Sequence, residues 1–306
     1  MAMGGSVRDM LLAGADAVGW AGFDAAWYLA AYPAAREALA SADPAEVLRF
    51  YLDRGQQLGH SPNMYFDEDW HRRRYPRVAA ALRDGTIASA FDAYCRHGFY
   101  GRSPHWLFDE LFYRTRYPDL TEDYLAAQGL ANGYDHYLRH GQFSGRSGHP
   151  LFDPAVYSAE LAAGEHLEAE QRGCFTHYLA SLRQNSTERR TSILFDPAWH
   201  AASMQRAKVS LDQGDWRCAV HHYLTNPTPT AFDPLAEFSE RYYLARYRDV
   251  ANAVSAGKYR NGYEHFLVEG RNKLRAPHRS IDLAYYASRQ AVAAHDLAAH
   301  RTGPLL

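Results

Sequence analysis

The chain has little cysteine, no excess of either charge and no long apolar run. Its 306 residues include three cysteines, Cys95, Cys174 and Cys218. The count is odd and no Cys-x-x-Cys occurs, so a disulfide frame is not expected; the thiols read as small buried groups of a reducing compartment. Lys plus Arg number 33 and Asp plus Glu 35, a formal net charge of −2. A non-specific nucleic-acid binder should show a basic excess, so nucleic acid is not expected as a partner. No apolar run approaches the ~18 residues that a membrane span requires. The opening MAMGGSVRDMLLAGADAVGW has no basic region followed by a long apolar core, so it does not read as a signal peptide, and a cytoplasmic protein is the expectation. GxGxxG, Walker A, GxSxG and HExxH are all absent, which weighs against an enzyme without excluding one. No cofactor and no metal is expected.

Aromatic residues are plentiful at 14%, with 22 tyrosines. They recur in register. Phe23, Phe66, Phe108, Phe152, Phe195, Phe238 and Ile281 stand 43, 42, 44, 43, 43 and 43 residues apart. A fixed period of this length is the signature of a repeat architecture. Phe232-Asp233-Pro234 imitates the start of a unit but breaks the phase, which Phe238-Ser239 keeps.

Each unit opens a helix. Asp24, Asp67, Asp109, Asp153, Asp196, Ser239 and Asp282 are N-cap residues, whose side-chain oxygens accept otherwise unpaired N–H groups. Pro154 and Pro197 follow directly, at the first helical position. The preceding aromatic is placed to staple onto Tyr28, Tyr113, Tyr157 or Tyr243, four positions past the cap. Pro33, Pro76 and Pro118 then end the first helix, and the same proline can open a second. A third element reads FYLDRG, AYCRHG, HYLRHG or HFLVEG; Gly55, Gly98, Gly141 and Gly270 fall where a left-handed C-cap belongs. Turns such as GHSP at Gly59, GRSP at Gly101 and GRSGHP at Gly145 close most units.

The expected fold is therefore all-α, a right-handed, curved solenoid with about three short helices per ~43-residue unit. Residues 1–22 form an N-terminal cap. Six repeats occupy 23–65, 66–107, 108–151, 152–194, 195–237 and 238–280, and 281–306 is a C-terminal half-repeat cap. Repeats four and five are degenerate, which reads first as drift in tolerant loops and second as the mark of a partner.

The units resemble the repeats found beside glycosyltransferase domains in bacterial polysaccharide and rhamnan-synthesis proteins. The likeness is carried by Phe23-Asp24 with Trp27-Tyr28-Leu29, by Tyr117-Pro118-Asp119-Leu120, and by His136-Tyr137-Leu138 with Gly141, Gly145 and Arg146. It covers about residues 23–280. It implies a place near cell-surface glycan assembly, without a transferase region outside the repeats from which an activity would follow.

Candidate chemistry lies in the turns. Arg102, Arg146 and Arg271 recur in or near them, with His105, His149 and His278 close after. In a stacked solenoid these would line one edge and offer bidentate contacts to an acidic glycan, a sugar phosphate or a carboxylate-rich partner. The competing reading is that each Arg bonds helix-end carbonyls. Asp67-Glu68-Asp69 matches a metal-binding DxD triplet, but Asp67 is already a helix cap. His136 and His140 share a helix face, yet His136 occupies the same repeat position as His177, His222 and His265, which favours packing over metal binding. Trp70, Trp106, Trp199 and Trp216 would suit sugar stacking and equally suit a core. Asn185-Ser186-Thr187 is a glycosylation acceptor only in a secreted chain.

Three functions follow. The first is a non-catalytic interaction scaffold in bacterial surface-glycan or glycoconjugate assembly, with a protein partner such as a glycosyltransferase or exporter component. The second is direct glycan or sugar-phosphate binding by Arg102, His105, Arg146, His149 and Arg271. The third is an enzyme with a site at repeats four and five, around His177, His221 and His222.

Overall fold

A computed structural model describes residues 19–97, 101–182, 188–214 and 216–289. Among them every regular element is helical and no strand occurs. None of their helices is long and apolar enough to cross a membrane. The chain divides into two compact units, Met1–Gln184 and Asn185–Leu306, each described here by itself. Gly98 and the Asn185 acceptor, like residues 1–18 of the expected N-terminal cap and 290–306 of the C-terminal one, lie outside the described residues.

The first unit contains four sets of three short helices. These are Ala25–Ala31, Pro33–Ala38 and Pro44–Phe50; Glu68–Arg74, Pro76–Arg83 and Ala90–His97; Glu110–Arg116, Glu122–Ala127 and Gly133–Arg139; and Pro154–Ala159, Ala163–Arg172 and Cys174–Ser181. In the second unit, Pro197–Arg206, the 3-10 turn Leu211–Gly214 and Ala219–Thr225 are followed by Glu240–Arg246, Arg248–Ser255 and Gly262–His265, then by Leu283–Arg289. None is long enough to be stable alone. Each depends on burying its aromatic side against the others of its set.

All seven caps form. Backbone N–H groups of Trp27, Trp70, Phe112, Ala155, Trp199, Tyr242 and Tyr285 donate to Asp24, Asp67, Asp109, Asp153, Asp196, Ser239 and Asp282. The staples form with them: Phe23 lies 5.3 Å from Tyr28, Phe108 5.5 Å from Tyr113, Phe152 5.6 Å from Tyr157 and Phe238 5.2 Å from Tyr243. Pro33 and Pro76 open second helices, but Pro118 does not. There the helix waits for Thr121, whose hydroxyl accepts from Tyr124 N–H at 3.1 Å.

The glycines of the third element are not left-handed caps. The left-handed position comes four residues later, at Gly59 (φ +77°), Gly145 (φ +71°) and even Leu274 (φ +52°). Gly55, Gly141 and Gly270 are needed for a different reason. A Cβ there would stand 2.4 Å from the Tyr28 hydroxyl, 2.1 Å from that of Tyr113 and 2.1 Å from that of Tyr243. Gly141→Ala is therefore expected to lose about 1–3 kcal/mol through overpacking. Adding Tyr113→Phe removes the colliding oxygen, so the double variant should melt above the sum of the two single losses in a thermal double-mutant cycle.

Among the described residues, five of the six sets close on themselves. Asp24 N–H donates to Pro62 O, Asp67 N–H to Pro104 O, Asp109 N–H to Gly148 O, Asp196 N–H to Pro234 O and Ser239 N–H to Pro277 O, all within 3.0–3.1 Å. Between sets, the Tyr134 hydroxyl donates to Tyr65 O at 2.8 Å and the Tyr263 hydroxyl to Leu194 O at 2.6 Å, each 69 residues away. Asn132 donates to the Tyr94 hydroxyl and Asn261 to that of Tyr223, each 38 residues away. Other contacts skip two repeats. Trp20 Nε1 donates to Asp135 at 3.2 Å, and the Tyr65 and Thr176 hydroxyls lie 3.4 Å apart. Strict nearest-neighbour packing, the simplest expectation for stacked repeats, does not describe these ties.

Candidate functional site

In repeats one, two, three and six the turn that closes the set is built on the tyrosine before the second helix. Its hydroxyl accepts from a turn N–H: Ser61 to Tyr32 at 2.8 Å, Ser103 to Tyr75 at 2.8 Å, Ser147 to Tyr117 at 2.9 Å and Ala276 to Tyr247 at 2.8 Å. The residue before that N–H lies over the ring. Arg102 sits 5.4 Å from the Tyr75 centroid, Arg146 4.6 Å from Tyr117 and Arg275 4.8 Å from Tyr247. In repeat one His60 takes the place, stacked on Tyr32 at 3.8 Å and 4°. A guanidinium over a phenol face gains from the ring quadrupole.

Arg146 and Arg275 are also paired. Arg146 donates to both oxygens of Asp119 at 3.3 and 2.7 Å, and Arg275 to both of Asp249 at 3.1 and 2.7 Å. The guanidinium holds each carboxyl below its ordinary range. Of the expected site arginines, Arg102 and Arg146 thus occupy equivalent places and Arg271 does not. Arg271 directly follows Gly270, as Gln142 follows Gly141. Arg275 fills the turn position, because Leu274 adopts the left-handed backbone that Gly145 supplies before Arg146.

The turn histidines have a local role. Nδ1 of His105 accepts from Leu107 N–H at 3.1 Å, that of His149 from Leu151 N–H at 3.0 Å and that of His278 from Ser280 N–H at 3.2 Å. Asn63 and Ser192 do the same for Tyr65 and Leu194. His105 is fully buried, so the histidines and arginines of the turns do not form one exposed row. Burial holds the His149 imidazole down to about 4.

The other recurrent histidines tie the third element to the first helix. Tyr113 Oη meets His136 Nδ1 at 2.9 Å, Tyr157 meets His177 at 2.7 Å and Tyr243 meets His265 at 3.0 Å. In repeat one Tyr28 meets His60 instead, at 2.8 Å. In repeat five two imidazoles make the bond, His200 Nε2 to His222 Nδ1 at 2.9 Å. Burial raises the Tyr113 phenol and lowers His136 to about 4, so the proton stays on oxygen and the pair acts as a strut. His221 Nδ1 accepts from Arg217 N–H at 3.0 Å. The three histidines of the enzyme reading, His177, His221 and His222, are therefore each held in a bond of the fold.

Buried glutamates were not visible as site residues in the sequence. Glu110, 3% exposed, accepts from Gly133 and Tyr134 N–H at 2.8 and 3.1 Å. Glu68 and Glu240 do likewise for Ala90 with Phe91, and for Gly262 with Tyr263. Burial pushes all three up to about 7, against the downward pull of those N–H groups. The DxD triplet therefore has its middle residue in the core and Asp67 as a cap, while Asp69 pairs with Arg73 at 2.5 Å. Among the described residues no group of three or more His, Cys, Asp or Glu is placed to hold a metal ion. Of the four tryptophans, Trp106 is buried, Trp70 and Trp216 are half-buried and Trp199 is exposed.

Comparison with known proteins adds no relative: no family model, no curated protein and no solved structure matches the chain.

Proposed function

We propose that the chain is a helical-repeat solenoid acting as a non-catalytic interaction scaffold in bacterial surface-glycan or glycoconjugate assembly. Its partner would be a protein such as a glycosyltransferase or exporter component in the cytoplasm. One observation carries the scaffold reading. Outside repeat two, the recurring Tyr, His, Glu and Arg side chains named above, which have the means for chemistry, are engaged by hydrogen bonds that shape the fold. Large apolar side chains meanwhile remain outside the core, among them Leu58, Leu111, Phe143 and Val268. The glycan context rests on the sequence resemblance alone.

The test uses the purified chain with the transferase or exporter component encoded beside its gene. A stoichiometric complex in light scattering is the expected result, weakened by Leu111→Asp or Phe143→Asp at unchanged melting temperature. Turnover of a sugar nucleotide by the chain alone, or the absence of any complex, would overturn the reading.

A further inference from the structure

Repeat two breaks a pattern that repeats three and six keep. In those, an acid stands two residues after the ring tyrosine, Asp119 after Tyr117 and Asp249 after Tyr247, and grips the stacked arginine with both oxygens. Repeat two keeps the tyrosine, the stacked Arg102 and the Ser103 N–H bond to the Tyr75 hydroxyl. Two residues after Tyr75, however, stands Arg77, exposed to solvent. At the position where its siblings carry the carboxylate, this repeat carries a second arginine. Arg74 adds a third cation, 5.8 Å over the same ring. Among the described residues none of the three is in an ion pair. Neighbouring like charges without a counter-ion are unfavourable, and the cost is relieved by a bound anion.

A second observation lies at the same place. His71, fully buried and 4.6 Å from the Tyr75 ring, has no hydrogen-bond partner on either ring nitrogen. Its counterpart in repeat three, Tyr113, meets His136, but repeat two has Ala93 at that position. The charge of Arg102 reaches the His71 ring, as that of Arg146 reaches the Tyr113 hydroxyl. A neutral imidazole always carries one N–H, and this one lacks an acceptor. Half-buried Trp70, edge-on to Tyr75 at 6.3 Å, supplies an aromatic wall of the kind that sugar faces pack against.

We propose that the Tyr75 face of repeat two binds the oxyanion of an acidic sugar, a carboxylate or a phosphate. Arg102 and Arg77 hold it where Asp119 and Asp249 sit in their own repeats, with the partnerless N–H of buried His71 beside the same ring. The site is particular to repeat two, because Arg146 and Arg275 already have their acids.

The experiment titrates the full chain at low ionic strength with glucuronate, glucose 1-phosphate, inorganic phosphate and glucose, reading Trp70 and Arg side-chain resonances by NMR. One of the two acidic sugars should bind at least fivefold more tightly than inorganic phosphate, and glucose should leave the resonances in place. Tighter glucuronate identifies a carboxylate source, and tighter glucose 1-phosphate a phosphate source. Arg77→Asp installs the internal ion pair of repeats three and six, so it should weaken binding at least tenfold while the melting temperature stays level or rises. Arg102→Gln should weaken it comparably. Wild-type affinity in Arg77→Asp would overturn the proposal. So would equal shifts with glucose, phosphate binding that neither sugar improves on, or a site that takes only an acidic peptide.

Discussion

Glu110→Ala is expected to destabilise its unit by about 3–5 kcal/mol, the largest single loss outside the aromatic core. The carboxylate is buried, and each oxygen accepts one of the first N–H groups of Gly133–Arg139. Alanine would leave both donors buried and unpaired, at roughly 1–3 kcal/mol each, and add a cavity. Glu110→Gln keeps one accepting oxygen and should lose roughly half as much. Amide exchange at Gly133 and Tyr134 should speed up with the loss of stability. A loss under about 1 kcal/mol would show that these N–H groups find other partners. The repeat that places Pro197 after the cap shows that the fold demands this bond. Where Pro197 follows the cap, Glu188 reaches Ala219 and Val220 N–H instead; where Pro154 does, the Gln142 side-chain Oε1 accepts from Thr176 N–H at 3.1 Å, the bond that Asn132 makes to Asp135 N–H in repeat three.

Acidification is the second large effect. Burial holds His71 down to about 3 and His136, His200 and His222 to about 4, with like charges nearby adding to the shift. His149 joins them at about 4. Against an unfolded value of 6.5, each of these binds a proton more readily in the unfolded chain. The stability they confer is complete above pH 6.5 and is lost as the pH falls toward 4. Glu68, Glu110 and Glu240 act oppositely. Raised from 4.5 to about 7, they favour the fold below pH 4.5 and lose that contribution as the pH rises through 7. Between pH 4.5 and 6.5 the histidines outnumber the glutamates. The net expectation is a fall in stability on acidification, about 1.4 kcal/mol per pH unit for each uncompensated proton. Just above pH 6.5 only the glutamates still titrate, which places the maximum near there. Urea unfolding from pH 4.5 to 8 measures both limbs. His71→Phe should reduce the acid slope by about one proton, and Glu110→Gln should flatten the decline toward pH 7. Constant stability from pH 4.5 to 6.5 would contradict the histidine assignment.

Much of the secondary structure was legible because its causes are local. A cap, its staple and a proline at the first helical position involve residues one to four apart, and all seven caps and the four named staples stand as the spacing implied. Glycine misled for a physical reason. Gly55, Gly141 and Gly270 occur where a left-handed cap is common, but a tyrosine hydroxyl from the first helix is what excludes a side chain there. That contact comes from a helix 27 or 28 residues back in sequence and leaves no local trace.

The turn residues divide along the same line. Arg102 and Arg146 were recognisable by the Gly-Arg-Ser pattern. Arg275 was not, because Leu274 replaces the glycine, and Arg271 was taken in its stead. That Arg146 is satisfied and Arg102 is not depends on Asp119 and Arg77, each more than 20 residues upstream.

By itself the sequence determined the 43-residue period, the start of every helix set and the all-α class, since each follows from backbone capping and the spacing of aromatic residues along the chain. Only the tertiary structure decided what the polar side chains do. The partners of Glu110, Tyr134, His136 and Arg102 are chosen by which faces meet across 20 to 69 residues, and hydrogen bonding, unlike helix capping, gives no sign in one dimension of the partner it will take.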